Sequence, residues 1–219
     1  MKTQRIRHLT KLPVDLATIT GAQNRLLKSW WLFPVFFFAA LSPANAHPET
    51  STVGGFFAGI EHPLTGLDHI VAMVAVGLWG AYLGAPAMWL LPVVFPLVMA
   101  LGGGVGVLGG PMSGVEITIA ISGIVLGLVV ALAARPPLWV AALIVGFFGF
   151  FHGYSHGIEL PHSANPFTYA AGFVIATGLL HLTGISIGLL TRWSWGQVVV
   201  RTAGGVITII GFAFLFGFL

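Results

Sequence analysis

The chain has 219 residues, of which 57% are hydrophobic and only 7% charged, with a mean hydropathy of +0.96. About a quarter of the residues of a soluble domain are charged, and disordered segments are more polar still, so both classes are excluded. The net charge of +3 is concentrated in residues 1–46, which hold six basic residues and one acid; the remainder holds three arginines and five acids, which leaves no case for nucleic-acid binding.

In chain order, a basic stretch ends at Lys28, an apolar run covers Trp30 to Leu41, and Ala44-Asn45-Ala46 follows. This pattern predicts a secretory signal peptide over 1–46, cleaved to leave His47 as the N-terminus on the outer side. The apolar run is short and interrupted by Pro34 and Pro43, which suits a signal better than a span.

Residues 47–219 read as a single transmembrane domain. Apolar segments cover 54–82, 86–109, 115–134, 137–158, 166–190 and 198–218, joined by short Pro- or Gly-marked connections. They lack period-two alternation, so the fold class is an all-α polytopic membrane protein with six transmembrane helices. An outside N-terminus places Arg135, Arg192 and Arg201 all on the cytoplasmic side, which satisfies the positive-inside rule with every basic residue after the signal. The expected location is a bacterial inner membrane, with both termini periplasmic and the bilayer as a partner. Gly102, Gly106 and Gly110 recur at every fourth position, as do Gly123 and Gly127, and Gly184 and Gly188. Such spacing predicts packing seams between helices.

Ionisable residues inside spans are costly, about 2.5–3.5 kcal/mol each on insertion scales. Those present are Glu61, His62, Asp68, His69, Glu116, His152, His156, Glu159 and His181. All but His181 fall in the outer halves of their segments, away from the arginines. The acids must therefore be protonated, paired with histidine, or matched to a cation.

Two clusters stand out. In Glu61-His62-Pro63-Leu64-Thr65-Gly66-Leu67-Asp68-His69, the two histidines are seven residues apart, and Met73 continues the stripe. Pro63 predicts a break, with the regular span beginning there and 53–61 forming a separate half-helix. In the second cluster His152, His156 and Glu159 stand at i, i+4 and i+7, a spacing that lets two imidazoles and a carboxylate share one ion. Elsewhere the structural reading is the stronger one. Ser113 to Glu116 has a capping-box pattern, His181 has Thr177 one turn away as a hydrogen-bond partner, and His162 lies in a Pro-flanked loop.

Imidazole and carboxylate suit Ni(II), Co(II), Zn(II), Fe(II) or Mn(II), and the absence of cysteine weighs against Cu(I). His62 followed by Asp68-His69-Ile-Val-Ala-Met73 and on to Trp79 resembles the first signature of the HupE/UreJ family. Phe151-His152-Gly-Tyr-Ser-His156-Gly157-Ile-Glu159 resembles its second. The resemblance covers about 47–219 and implies a nickel or cobalt permease supplying hydrogenase, urease or cobalamin pathways, with His62, Asp68, His69, His152, His156 and Glu159 as the functional set.

The sequence reading is therefore an inner-membrane permease for a divalent transition metal, which reaches a site between the first and fourth helices from the periplasm. His47, Glu61, Met73 and His181 are secondary candidates for the same ion. The metal is cargo, no permanent cofactor or catalytic residue is expected, and a homo-oligomer is compatible with the chain. The alternative is a membrane-embedded metalloenzyme of hydrolase or di-iron type, disfavoured because the chain has no His-Glu-x-x-His run.

Overall fold

The structure is a computed structural model that describes residues 52–109, 111–160 and 165–219. The expected signal peptide, its cleavage site, His47, Gly110 and His162 lie outside these residues. Seven α-helices and one 3-10 turn account for most of the described chain, and no strand occurs among the described residues.

The first apolar segment is broken into α1 (Thr52–Thr65) and α2 (Leu67–Leu83), bent by 81°. The sequence reading placed this break at Pro63. Instead Pro63 lies in the last turn of α1, and the break falls at Gly66, whose backbone is extended. Proline removes the amide that would bond the Gly59 carbonyl, which weakens the turn without ending it. The Thr65 hydroxyl donates to the His62 carbonyl at 3.0 Å, and glycine, a poor helix former, then supplies the corner.

The other helices are α3 (Ala87–Val107), α4 (Val115–Ala131), α5 (Leu138–Ile158), α6 (Pro166–Gly188) and α7 (Ser194–Leu215), with a 3-10 turn over Leu189–Arg192 between the last two. The expected Ser113 cap of α4 is not formed. Gly114 immediately precedes the helix at φ 79°, a left-handed conformation suited to glycine. Its carbonyl accepts from both the amide and the hydroxyl of Thr118. By contrast α6 has a side-chain cap: the Asn165 side chain accepts from the Phe167 and Thr168 amides, with Pro166 at the first position.

Four stretches (α3, α5, α6 with its 3-10 turn, and α7) are long and apolar enough to cross a membrane, and the bent pair α1/α2 makes a fifth if taken together. At 17 residues α4 is shorter than a full span. Large apolar side chains point outward, including Leu97, Leu101, Leu143 and Ile209, while Met73, Trp79, Phe95 and Leu126 are fully buried. A soluble protein rarely exposes so much continuous apolar surface.

Glycine fixes how the helices pair. A Cβ on Gly102, Gly106, Gly153 or Gly157 would collide with a carbonyl oxygen of the facing helix, so α3 and α5 are in backbone contact. Gly77 and Gly184 do the same for α2 and α6, Gly59 and Gly172 for α1 and α6, and Gly127 and Gly204 for α4 and α7. The predicted seams through Gly102, Gly106, Gly127, Gly184 and Gly188 are thus present.

At one end of the bundle three polar side chains find partners within the protein. The Trp79 indole donates to the Ala134 carbonyl at 3.0 Å, and Arg201 Nε donates to the Ala131 carbonyl at 2.8 Å. Arg135 lies over the Tyr82 ring, 4.8 Å from its centroid, and donates to its hydroxyl.

Candidate metal centre

At the opposite end, the corner between α1 and α2 meets the C-terminal turns of α5. His62 comes from the last turn of α1, Asp68 and His69 from the first turn of α2, and His152 and His156 from α5, with Glu159 as its C-cap. The two clusters expected from the sequence therefore form one site. The 81° corner achieves this, because it turns both His62 and His69 toward α5 rather than leaving them stacked along one helix. Gly66 also makes room, since a Cβ there would sit 2.8 Å from His69 Nδ1 and 2.9 Å from Asp68 Oδ1.

His156 is the hub. Its ring centroid lies 4.8 Å from that of His62, 4.4 Å from His69 and 4.4 Å from Phe173 of α6. The His69 and His152 centroids are 5.1 Å apart. Donor atoms of His62, His156 and Glu159 all lie within 4.8 Å of one another, a spacing that suits a shared ion.

Each remaining imidazole has one nitrogen fixed by a neighbour. Asp68 Oδ1 bonds His69 Nδ1 at 2.7 Å and also accepts from the His69 amide. His152 Nδ1 lies 2.9 Å from the Phe148 carbonyl; a carbonyl can only accept, so the proton sits on Nδ1. His62 Nε2 pairs with Glu159 Oε2 at 3.2 Å, and Ser155 Oγ donates to Glu159 Oε1 at 3.0 Å. The hydrogen bond from His62 holds the Glu159 carboxyl below the usual carboxylate range, against the opposing effect of partial burial.

The opposite nitrogens have no protein partner. His69 Nε2, His152 Nε2 and both nitrogens of His156 are buried and make no hydrogen bond, as does the Tyr169 hydroxyl beside them. An unsatisfied buried polar atom costs about 1–3 kcal/mol. Imidazoles oriented by a carboxylate or carbonyl on one nitrogen, with the other lone pair free, have the form of metal ligands. Thus Asp68, expected from the sequence as a ligand, is bonded to His69 and orients it.

The site opens on a cavity of about 480 Å³ whose wall includes Asp68, His69, Glu116, Ser155 and Glu159. Glu116 was read from the sequence as a helix cap; the structure places it on this wall. The signal was available, since it is an acid at an outer helix end with no basic neighbour in sequence. Tyr169 and Phe173 close the α6 side of His62 and His156 and carried no sequence signal. Among the secondary candidates, Glu61 is exposed and outside the cluster, and Met73 is fully buried one turn inward of His69. His181 lies apart from the cluster, and its expected bond with Thr177 is not made, since both side chains lack partners.

The sequence profile of the "HupE / UreJ protein" family matches residues 35–214. A curated relative, "Protein HupE" of Rhizobium leguminosarum bv. viciae, is 46% identical over 181 residues, covering 82% of this chain and 95% of its own. No solved structure gives a significant match. A profile match over most of the sequence, together with a relative this similar along nearly its whole length, places the chain in the HupE/UreJ family.

Proposed function

We propose that the protein is an inner-membrane permease for a divalent transition metal, Ni(II) or Co(II), taken from the periplasm. The observation that carries this reading is the group of buried imidazoles at the α1/α2 corner, each with an unpartnered nitrogen, beneath a cavity bearing three carboxylates. The acids attract the hydrated cation, and Glu159 with His62 and His156 offers the first protein ligands. His69 and the fully buried His152 then replace further water ligands. An all-imidazole and carboxylate set without thiolate favours borderline divalent ions over Cu(I).

In this reading the bent pair α1/α2 and the short α4 complete six crossings. Both ends of the mature chain are periplasmic, the segment before His47 is a removed signal, and the metal is cargo rather than cofactor. The ion would go on toward hydrogenase, urease or cobalamin pathways. The chain carries no nucleotide-binding motif, so movement down a gradient or coupled to protons is the simplest mode. Radiotracer uptake by proteoliposomes containing the purified chain, with Ni, Co, Zn and Mn compared, tests it. Saturable uptake of Ni or Co over Mn is expected; uptake equal to that of protein-free vesicles for every metal would sink the proposal.

A further inference from the structure

A second group of orphaned polar atoms lies deeper in the bundle. His181 of α6 is 1% exposed, and neither of its ring nitrogens has a hydrogen-bond partner. Thr177, one turn nearer the outer site, is fully buried, and its hydroxyl is also unpartnered. This is unusual within the molecule. The hydroxyls of Thr118, Thr183, Ser186 and Thr208 each donate to the carbonyl four residues back, the ordinary way a helix satisfies them. A structural histidine in a membrane interior would be expected to hold a partner as well.

The placement gives these atoms a direction. Tyr169, Phe173, Thr177 and His181 are spaced four apart on α6, so they form one buried stripe. Its outer end packs on His62 and His156. At about 1.5 Å per residue, His181 lies roughly 18 Å farther along the helix than Tyr169. Between the two levels stands Phe95 of α3, fully buried, with its centroid 5.4 Å from His152 on one side and 5.5 Å from His181 on the other. One aromatic ring therefore contacts both the innermost imidazole of the outer site and the next imidazole.

We propose that His181 and Thr177 form an inner coordination station for the same divalent ion, beyond Phe95, which receives it after the outer imidazoles release it. This rests on the transport reading above. The donors are one imidazole nitrogen and one hydroxyl, a weak set that an ion can leave. Because neither group is satisfied by the protein, replacing His181 by an apolar residue of similar bulk removes an unpaired buried polar group and should not weaken the fold.

The test compares wild type, His181→Leu, Thr177→Val and His156→Ala as purified full-length protein. Three quantities are measured: calorimetric Ni(II) affinity, ⁶³Ni uptake into proteoliposomes, and melting temperature without metal. His181→Leu should keep outer-site affinity within about threefold yet lose about tenfold or more in uptake, as for loss of a metal-site partner. Its metal-free melting temperature should equal or exceed that of wild type. Thr177→Val should lower uptake by a smaller factor, about two- to fivefold, at unchanged affinity. His156→Ala should lose affinity and uptake together. Normal uptake by His181→Leu would overturn the inner station while leaving the transport reading standing. So would a His181→Leu protein that melts much lower or fails to fold, because the residue would then be structural. A loss of affinity parallel to the loss of uptake would place His181 in the outer site and also overturn the inference. Wild-type protein without uptake would remove the transport reading, and the inner station with it.

Discussion

The two ends of the bundle treat their polar side chains in opposite ways. At the arginine end, Trp79, Arg135 and Arg201 each meet a carbonyl, a hydroxyl or an aromatic face. At the histidine end, one nitrogen of His69 and of His152 is fixed and the other left without a partner, and His156 has no partner on either. Trp79 and His152 are both fully buried, so burial alone does not decide the difference between them, although Arg135 and Arg201 are exposed. The difference lies in what the backbone offers. The C-terminal end of α4 and the turn after it present the Ala131 and Ala134 carbonyls to side chains, whereas the glycine seam of α3 and α5 brings helix backbone against helix backbone beside the imidazoles. Satisfaction thus distinguishes the two ends: side chains that meet a partner at one, imidazoles with open nitrogens at the other.

The largest way to break this contrast is through the seam itself. Gly153→Ala would press a Cβ into the Met99 carbonyl, separating α3 from α5 and shifting His152 and His156; a loss of about 3 kcal/mol is expected. Gly205→Ala meets nothing within 4 Å and should change stability by less than about 1 kcal/mol. Thermal melts of the two variants side by side check this, and equal melting temperatures would contradict the seam. Next, His156→Ala removes the hub and should weaken Ni(II) binding by at least about 100-fold, measured by calorimetry, without a matching fall in metal-free stability.

Asp68→Asn keeps an oxygen for His69 but removes the charge. Metal affinity should fall by roughly tenfold, the scale expected when the group orienting a ligand is altered, and the metal-free melting temperature should hardly move. The smallest effect belongs to the other end. Trp79→Phe deletes the donor to Ala134, which should cost about 1–2 kcal/mol on melting and leave affinity within about twofold. If Trp79→Phe lowers affinity as much as Asp68→Asn, the two ends are not functionally distinct.

Much of this was legible in the sequence. The segments expected at 86–109, 137–158 and 166–190 coincide with α3, α5 and α6 to within a few residues, because Pro and Gly mark their limits and apolar residues fill them. His62, His69, His152 and His156 were legible as cargo-site candidates because imidazoles are expensive in an apolar span. What the sequence hid depended on tertiary placement. The corner lies at Gly66 rather than Pro63 because proline weakens the last turn of α1 without ending it, and the extended glycine then breaks the chain direction. The contact of Asp68 with its own neighbour His69 is one that spacing on an ideal helix does not show. Glu116 stands far in sequence from either cluster; its one signal is an acid at an outer helix end, and the packing of α4 with α7 brings it to the cavity.

The glycine seams divide the bundle into interlocked sets: α3 with α5, α6 with the α1/α2 pair, and α4 with α7. His152, His156 and Glu159 belong to the first set, His62, Asp68 and His69 to the second, and Glu116 to the third. Phe95 and His181 are split between the first two in the same way. No single set holds a complete ligand shell. A shift of one set against another would therefore change the shell around an ion at both levels at once, without bending any helix. The boundaries between the sets are thus where the ligand groups meet, and the glycines within each set act as its rivets.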